Sequence, residues 1–109
     1  NIIKYLTLLF LLFSSGYSYG QKSVSWKFKT DGRIYSTPKI DNDTLYFGSG
    51  DQHIYALQLQ TGKLLWKYKT AGKVHSSPST DDSHVFFSST DGQVYCLNKT
   101  DGTLCWKFE

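Results

Sequence analysis

Methionine is absent from the 109 residues, proline and cysteine occur only twice each, and no stretch approaches twenty consecutive apolar residues. The last shortage excludes a membrane-spanning helix, which needs about 20 such residues. Two cysteines are too few for the disulfide framework on which small secreted scaffolds depend. Charge of either sign is also scarce, 12 Lys and Arg against 9 Asp and Glu, for a net of +3. The lysines are spread along the chain and form no single stripe, so neither nucleic acid nor an anionic membrane surface is an expected partner. Histidine is equally thin: His53, His75 and His84 fit no zinc-ligand spacing, and no metal site is expected from them.

What is present begins with an export signature. Lys4 precedes an apolar stretch over residues 6–13, broken only by Thr7, and small residues follow up to Gly20. That order of charge, apolar core and small residues is expected of a secretory signal over residues 1–20, and the absent Met suggests a trimmed first residue. No Cys follows Gly16 or Gly20, so no acylation site is seen. A soluble exported protein, periplasmic or extracellular, is the expectation, with membrane association only indirect.

The remainder, residues 21–109, repeats itself. Trp26-Lys27-Phe28-Lys29-Thr30 returns as Trp66-Lys67-Tyr68-Lys69-Thr70, and Trp106-Lys107-Phe108 opens a third round. Residues 26–65 and 66–105 align without a gap and are identical at 15 of 40 positions. A fixed period of this length marks one supersecondary unit used repeatedly, each copy needing neighbours to cover its apolar faces. The histidines are not part of the pattern, since they align with Gln93, Tyr35 and Thr44.

Turn clusters divide each unit into four short strands. In the first unit strands are expected at 33–40, 44–48, 53–59 and 63–68; in the second, at 74–80, 84–89, 93–98 and 103–108. Pro38 and Pro78 assign the first strand of each unit to an edge. In Leu45-Tyr46-Phe47 and Val85-Phe86-Phe87 both strand faces are apolar, as in a sheet stacked between two others and not in one with a wet face. The expected architecture is all-β: about two four-stranded antiparallel blades of a larger β-propeller. Residues 23–28 match the fourth strand of a unit whose first three are missing, and would close the ring. A ring takes about 4–8 blades, so completing blades are expected from a C-terminal part beyond this segment, which alone should be weakly stable.

Cys96 and Cys105 flank the turn at Asp101-Gly102. A register centred on that turn sets Asn98 opposite Cys105 and Cys96 one diagonal away, at the edge of disulfide reach. Their counterparts in the first unit are Ala56 and Leu65, which suggests two buried thiols in apolar slots. Both readings stay open.

The segment Ala56-Leu57-Gln58-Leu59-Gln60-Thr61-Gly62-Lys63-Leu64-Leu65-Trp66 resembles the motif A-x-D-x-x-T-G-x-x-x-W that ends each blade of the PQQ-like (quinoprotein-type) β-propellers. Gln58 replaces the usual Asp. The copy from Cys96 to Trp106 keeps Gly102 and Trp106 but has Cys96, Asn98 and Asp101 where Ala, Asp and Thr are usual. The resemblance implies that Trp26, Trp66 and Trp106 dock blade to blade against glycines such as Gly62 and Gly102. It implies one of three functions: a non-catalytic protein-binding scaffold similar to the outer-membrane assembly propeller, a quinone-dependent alcohol or sugar dehydrogenase, or an extracellular sensor. Only the dehydrogenase would require PQQ and calcium; no catalytic, cofactor-binding or metal-ligating residue of that kind is recognised in this stretch. Asp41-Asn42-Asp43 and Asp81-Asp82 recur in phase, which turn chemistry explains.

Overall fold

The turn clusters place chain reversals between short antiparallel strands, and ten strands result among the described residues. The computed structural model describes residues 26–109 in full and residues 5–7 by their backbone. The strands are β1 (Tyr5–Thr7), β2 (Lys27–Lys29), β3 (Lys39–Asp41), β4 (Thr44–Gly48), β5 (His53–Gln58), β6 (Leu64–Lys69), β7 (Ser79–Thr80), β8 (His84–Ser88), β9 (Val94–Asn98) and β10 (Leu104–Phe108). Two four-stranded meanders follow chain order, β3-β4-β5-β6 and β7-β8-β9-β10. They are two blades of a β-propeller, as the apolar pattern indicated. The expected signal segment lies outside the described residues except for β1, which pairs with β2 through Tyr5↔Lys29, Leu6↔Phe28 and Thr7↔Lys27.

The first strand of each blade is shorter than its sequence suggested. Only Lys39–Asp41 and Ser79–Thr80 join the ladder, where strands over 33–40 and 74–80 were expected. Proline removes one donor, and a serine two residues earlier replaces backbone pairing with its side chain. Ser36 Oγ accepts from Gly48 N at 2.8 Å and donates to Gly48 O at 3.2 Å. Ser76 repeats this with Ser88, accepting and donating at 2.9 Å. A hydroxyl that both donates and accepts satisfies the last ladder position of the neighbour while its own backbone turns away.

Two apolar cores result, one on each face of the first blade. Ile34, Phe47, Tyr55 and Leu57 form one with Trp26 and Phe28. Tyr46, Ile54, Ala56, Trp66 and Val74 form the other with Val85, Phe87, Tyr95 and Leu97 of the second blade. Aromatic geometry repeats with the sequence: Phe47 stacks on Tyr55 at 5.2 Å and Phe87 on Tyr95 at 5.1 Å. Backbone bonds also cross the seam, Val74 N donating to Ser49 O at 3.0 Å.

Candidate functional site

The blade seams rest on tryptophan against glycine. Trp26 Nε1 donates to Leu59 O at 2.9 Å, and Trp66 Nε1 to Lys99 O at 2.8 Å, each 33 residues ahead in the chain. A β-carbon built on Gly62 would lie 2.5 Å from the Trp26 ring, and one on Gly102 the same distance from Trp66. Both glycines have positive φ, +76° and +73°, so any side chain there is strained as well as crowded. Burying an indole removes about 150–250 Å² from water, on the order of 4–6 kcal/mol as an upper figure. Trp106, the third of the series, is 45% exposed.

A different chemistry gathers where the two blades meet at one end. Gly32, Arg33, Tyr35 and Gly50 of the first unit and Lys73 and His75 of the second line an open cleft of about 240 Å³. Arg33 donates through a guanidinium nitrogen to the Tyr35 hydroxyl at 3.2 Å. Tyr35 meets His75 edge to face, with ring centroids 5.0 Å apart, and stays 56% exposed. Arg33 and Lys73 are repeat equivalents, as are Tyr35 and His75, so the period itself sets cations and flat rings side by side. Such a surface suits acidic or aromatic groups of a partner.

The segment leading into this cleft is held from beneath by a repeated carboxylate hub. Asp51 accepts from His53 N at 3.1 Å, from Asp31 N at 3.3 Å, and from the Tyr55 hydroxyl through a short bond. Asp91 does the same for Gln93 N at 3.0 Å, Ala71 N at 3.3 Å and the Tyr95 hydroxyl. Burial raises the pKa values of Tyr55 and Tyr95, and the bonded carboxylates push them further. Burial alone would raise Asp91, but the bonds from Tyr95, Gln93 and Ala71 outweigh it and hold the carboxyl below its usual range.

The turn carboxylates are engaged in the same way. Asp41 Oδ2 meets Lys99 Nζ at 2.6 Å and the Thr80 hydroxyl at 2.8 Å, tying the first blade to the second. Asp81 accepts instead from Ser83 N at 2.8 Å and His84 N at 2.7 Å. Among the described residues these carboxylates therefore fit calcium poorly, since a calcium ion needs six to eight free oxygen donors.

One of the two cysteines departs from expectation. Cys96 is buried, Cys105 is exposed, and both are free thiols. The hairpin is centred one residue earlier than the symmetric register, with Gly102 N donating to Asn98 O at 2.8 Å and Asn98 N to Thr103 O at 2.8 Å. Pairing then runs Leu104↔Leu97 and Trp106↔Cys96, with an irregularity between them that contains Cys105. A bulged residue leaves the alternation, so the apolar slot expected for Cys105 opens to solvent. Burial, then the hydrogen bond to Cys105, pushes the Cys96 thiol up to about 11. Sequence spacing gave no sign that His84 approaches this pair. The available signal was that 84, 96 and 105 all break the repeat, where the first unit has Thr44, Ala56 and Leu65.

Stacked four-stranded meanders with an indole seated on the next unit's turn define a β-propeller built from in-phase repeats. The chain belongs to the PQQ-like propeller family whose profile, described as outer membrane protein assembly factor BamB, matches residues 17–109. BamB from Moraxella catarrhalis superimposes with a TM-score of 0.72 at 19% identity, over 80% of this chain and 28% of that one. A europium-containing methanol dehydrogenase gives 0.67 at 20% identity, over 75% of this chain and 18% of its own. The quinohemoprotein alcohol dehydrogenase ADHIIG from Pseudomonas putida HK5 gives 0.66 at 20%, over 74% and 14%. The chain thus spans less than a third of each of these structures, and at such identities the likeness is one of fold. Among curated proteins no sequence matches.

Proposed function

We propose that the protein is an exported, periplasmic propeller that serves as a non-catalytic protein-binding platform in assembly at the outer membrane. The observation that carries this reading is the cleft between the blades, where Arg33, Tyr35, Lys73 and His75 converge on an open surface. Arg and Tyr are the side chains over-represented where protein interfaces concentrate their binding energy. The family description, an outer membrane assembly factor, names the setting in which such a platform would act. Its partner is a protein presenting acidic and aromatic groups, and contact with the membrane is indirect, through that partner.

The test is binding of the full-length protein to an outer-membrane β-barrel protein held before insertion, measured with wild type and with Arg33→Ala plus Tyr35→Ala. Loss of the two anchors should weaken binding by at least about tenfold, since interface anchors of this kind cost about 2 kcal/mol or more. Unchanged binding would remove the cleft from the reading. Turnover of an alcohol or sugar in a dye-linked assay with added quinone and calcium would replace the platform with a dehydrogenase.

A further inference from the structure

Three of the residues that break the repeat meet at the edge of the second blade. His84, Cys96 and Cys105 stand on β8, β9 and β10. A ring nitrogen of His84 and the two sulfurs all lie within 4.8 Å of one another. Neighbouring strands bring the first two together, and the irregularity between Leu104 and Trp106 lets Cys105 depart from strand alternation. The first blade supplies an internal comparison: its residues at these slots, Thr44, Ala56 and Leu65, include no nitrogen or sulfur donor.

We propose that His84, Cys96 and Cys105 form a zinc site, with Asp81 as the residue that orients the imidazole. Two thiolates and a neutral imidazole suit zinc in kind and balance its charge. Atoms 4.8 Å apart put a central ion at most about 2.8 Å from each. Inward shifts of about 0.5–0.8 Å, within reach of side-chain rotation, give the usual Zn–S of about 2.3 Å and Zn–N of about 2.0–2.1 Å. Each thiol releases its proton to solvent as the metal binds.

Asp81 supplies the outer support that metal-binding histidines use. Its two oxygens lie 3.2 and 3.3 Å from His84 Nδ1. A carboxylate only accepts, so Nδ1 carries the proton of the neutral ring and Nε2 keeps the lone pair a metal needs. The turn fixes the carboxylate in its own right, through Ser83 N and His84 N. Three protein donors leave the fourth tetrahedral corner to water or to a donor from a surface laid against this edge.

The experiment loads the full chain with zinc under a phosphine reductant, removes excess metal, and measures bound zinc. One ion per chain is expected, with both thiols protected from alkylation. Cobalt in place of zinc should show thiolate charge-transfer absorption and the visible bands of a tetrahedral ion. The variants His84→Thr, Cys96→Ala and Cys105→Leu each install the residue that the first blade holds in the same slot, so the fold has a precedent for each. Each should lower zinc affinity by well over tenfold, and Asp81→Asn by about 10–100-fold. The proposal fails if the reduced chain retains no zinc, if cobalt shows no thiolate band, or if the slot variants bind as the wild type does.

Discussion

The two blades share strand order, turn chemistry and aromatic spacing, yet their corresponding faces end in different surroundings. On the first blade, Tyr46, Ile54, Ala56 and Trp66 are buried against the second. The equivalent side chains of the second blade are Phe86, Val94, Cys96 and Trp106. Of these Val94 is 42% exposed and Trp106 45%, while Cys96 is buried by its own strands. Tyr46 sits 5.9 Å from Trp66 with rings tilted by 43°, and Phe86 sits 6.1 Å from Trp106 at 42°. Local geometry is therefore set within a blade, and only the burial is contributed by the neighbour. The stability of such an array is a sum of what each repeat holds by itself and what its seams add.

The sharpest way to break that comparison is to remove the same side chain from both contexts. In the 109-residue segment, Trp66→Ala should cost about 3–5 kcal/mol in denaturant unfolding, as large buried residues do, and Trp106→Ala under about 1 kcal/mol. Equal costs would mean that the seam contributes little.

The next effect is steric. Gly102→Ala combines a positive φ with a contact 2.5 Å from the Trp66 ring, whereas Gly92, at +90°, has nothing within 4 Å. The first should lose about 2–4 kcal/mol and the second only the backbone strain of about 1–2 kcal/mol. A thermal melt of the two variants side by side reads the difference.

Smaller again is the serine pair. Ser36 is buried and Ser76 is not, so Ser36→Ala should cost about 1–2 kcal/mol for an unpartnered amide and Ser76→Ala about half that. Amide exchange at Gly48 and Ser88 would report the same asymmetry directly.

The smallest effect is in the pH profile. The hydrogen bond from Lys99, then that from Thr80, lowers the Asp41 pKa, and the bond to Asp41 raises that of Lys99. A lowered acid contributes stability above its unfolded pKa of about 3.9, lost as pH falls through the folded value. A raised lysine contributes below about 10.4, and that share is lost as pH rises through its folded value. Lys99→Met should therefore flatten both limbs of a stability profile, while leaving the part of the acid limb due to Asp81, which its own turn lowers.

Much of this was legible in the residues. The period, the four-strand unit and the apolar character of both faces of β4 came from side-chain order, because stacking leaves its mark on every strand. The indole and glycine of the docking contact came from the resemblance to the repeat motif that ends each blade. What escaped were features decided by single hydrogen bonds. Ser36 and Ser76 shorten the first strand of each blade through hydroxyl geometry, to which periodicity is blind. Cys105 left its expected slot because the turn closed on Asn98 and Thr103, one step from the symmetric register. The approach of His84 to the thiols depends on three strands at once, and only contrast with the first unit singles those positions out.

The tryptophan contacts carry a consequence for how such a molecule could change length. Each indole precedes the blade whose turn seats it, with the same 33-residue reach both times. Duplicating or deleting one whole 40-residue period, wherever the cut falls, would return every indole to a waiting turn. Gene duplication could thus lengthen or shorten the ring in whole-blade steps with no junction left to mend.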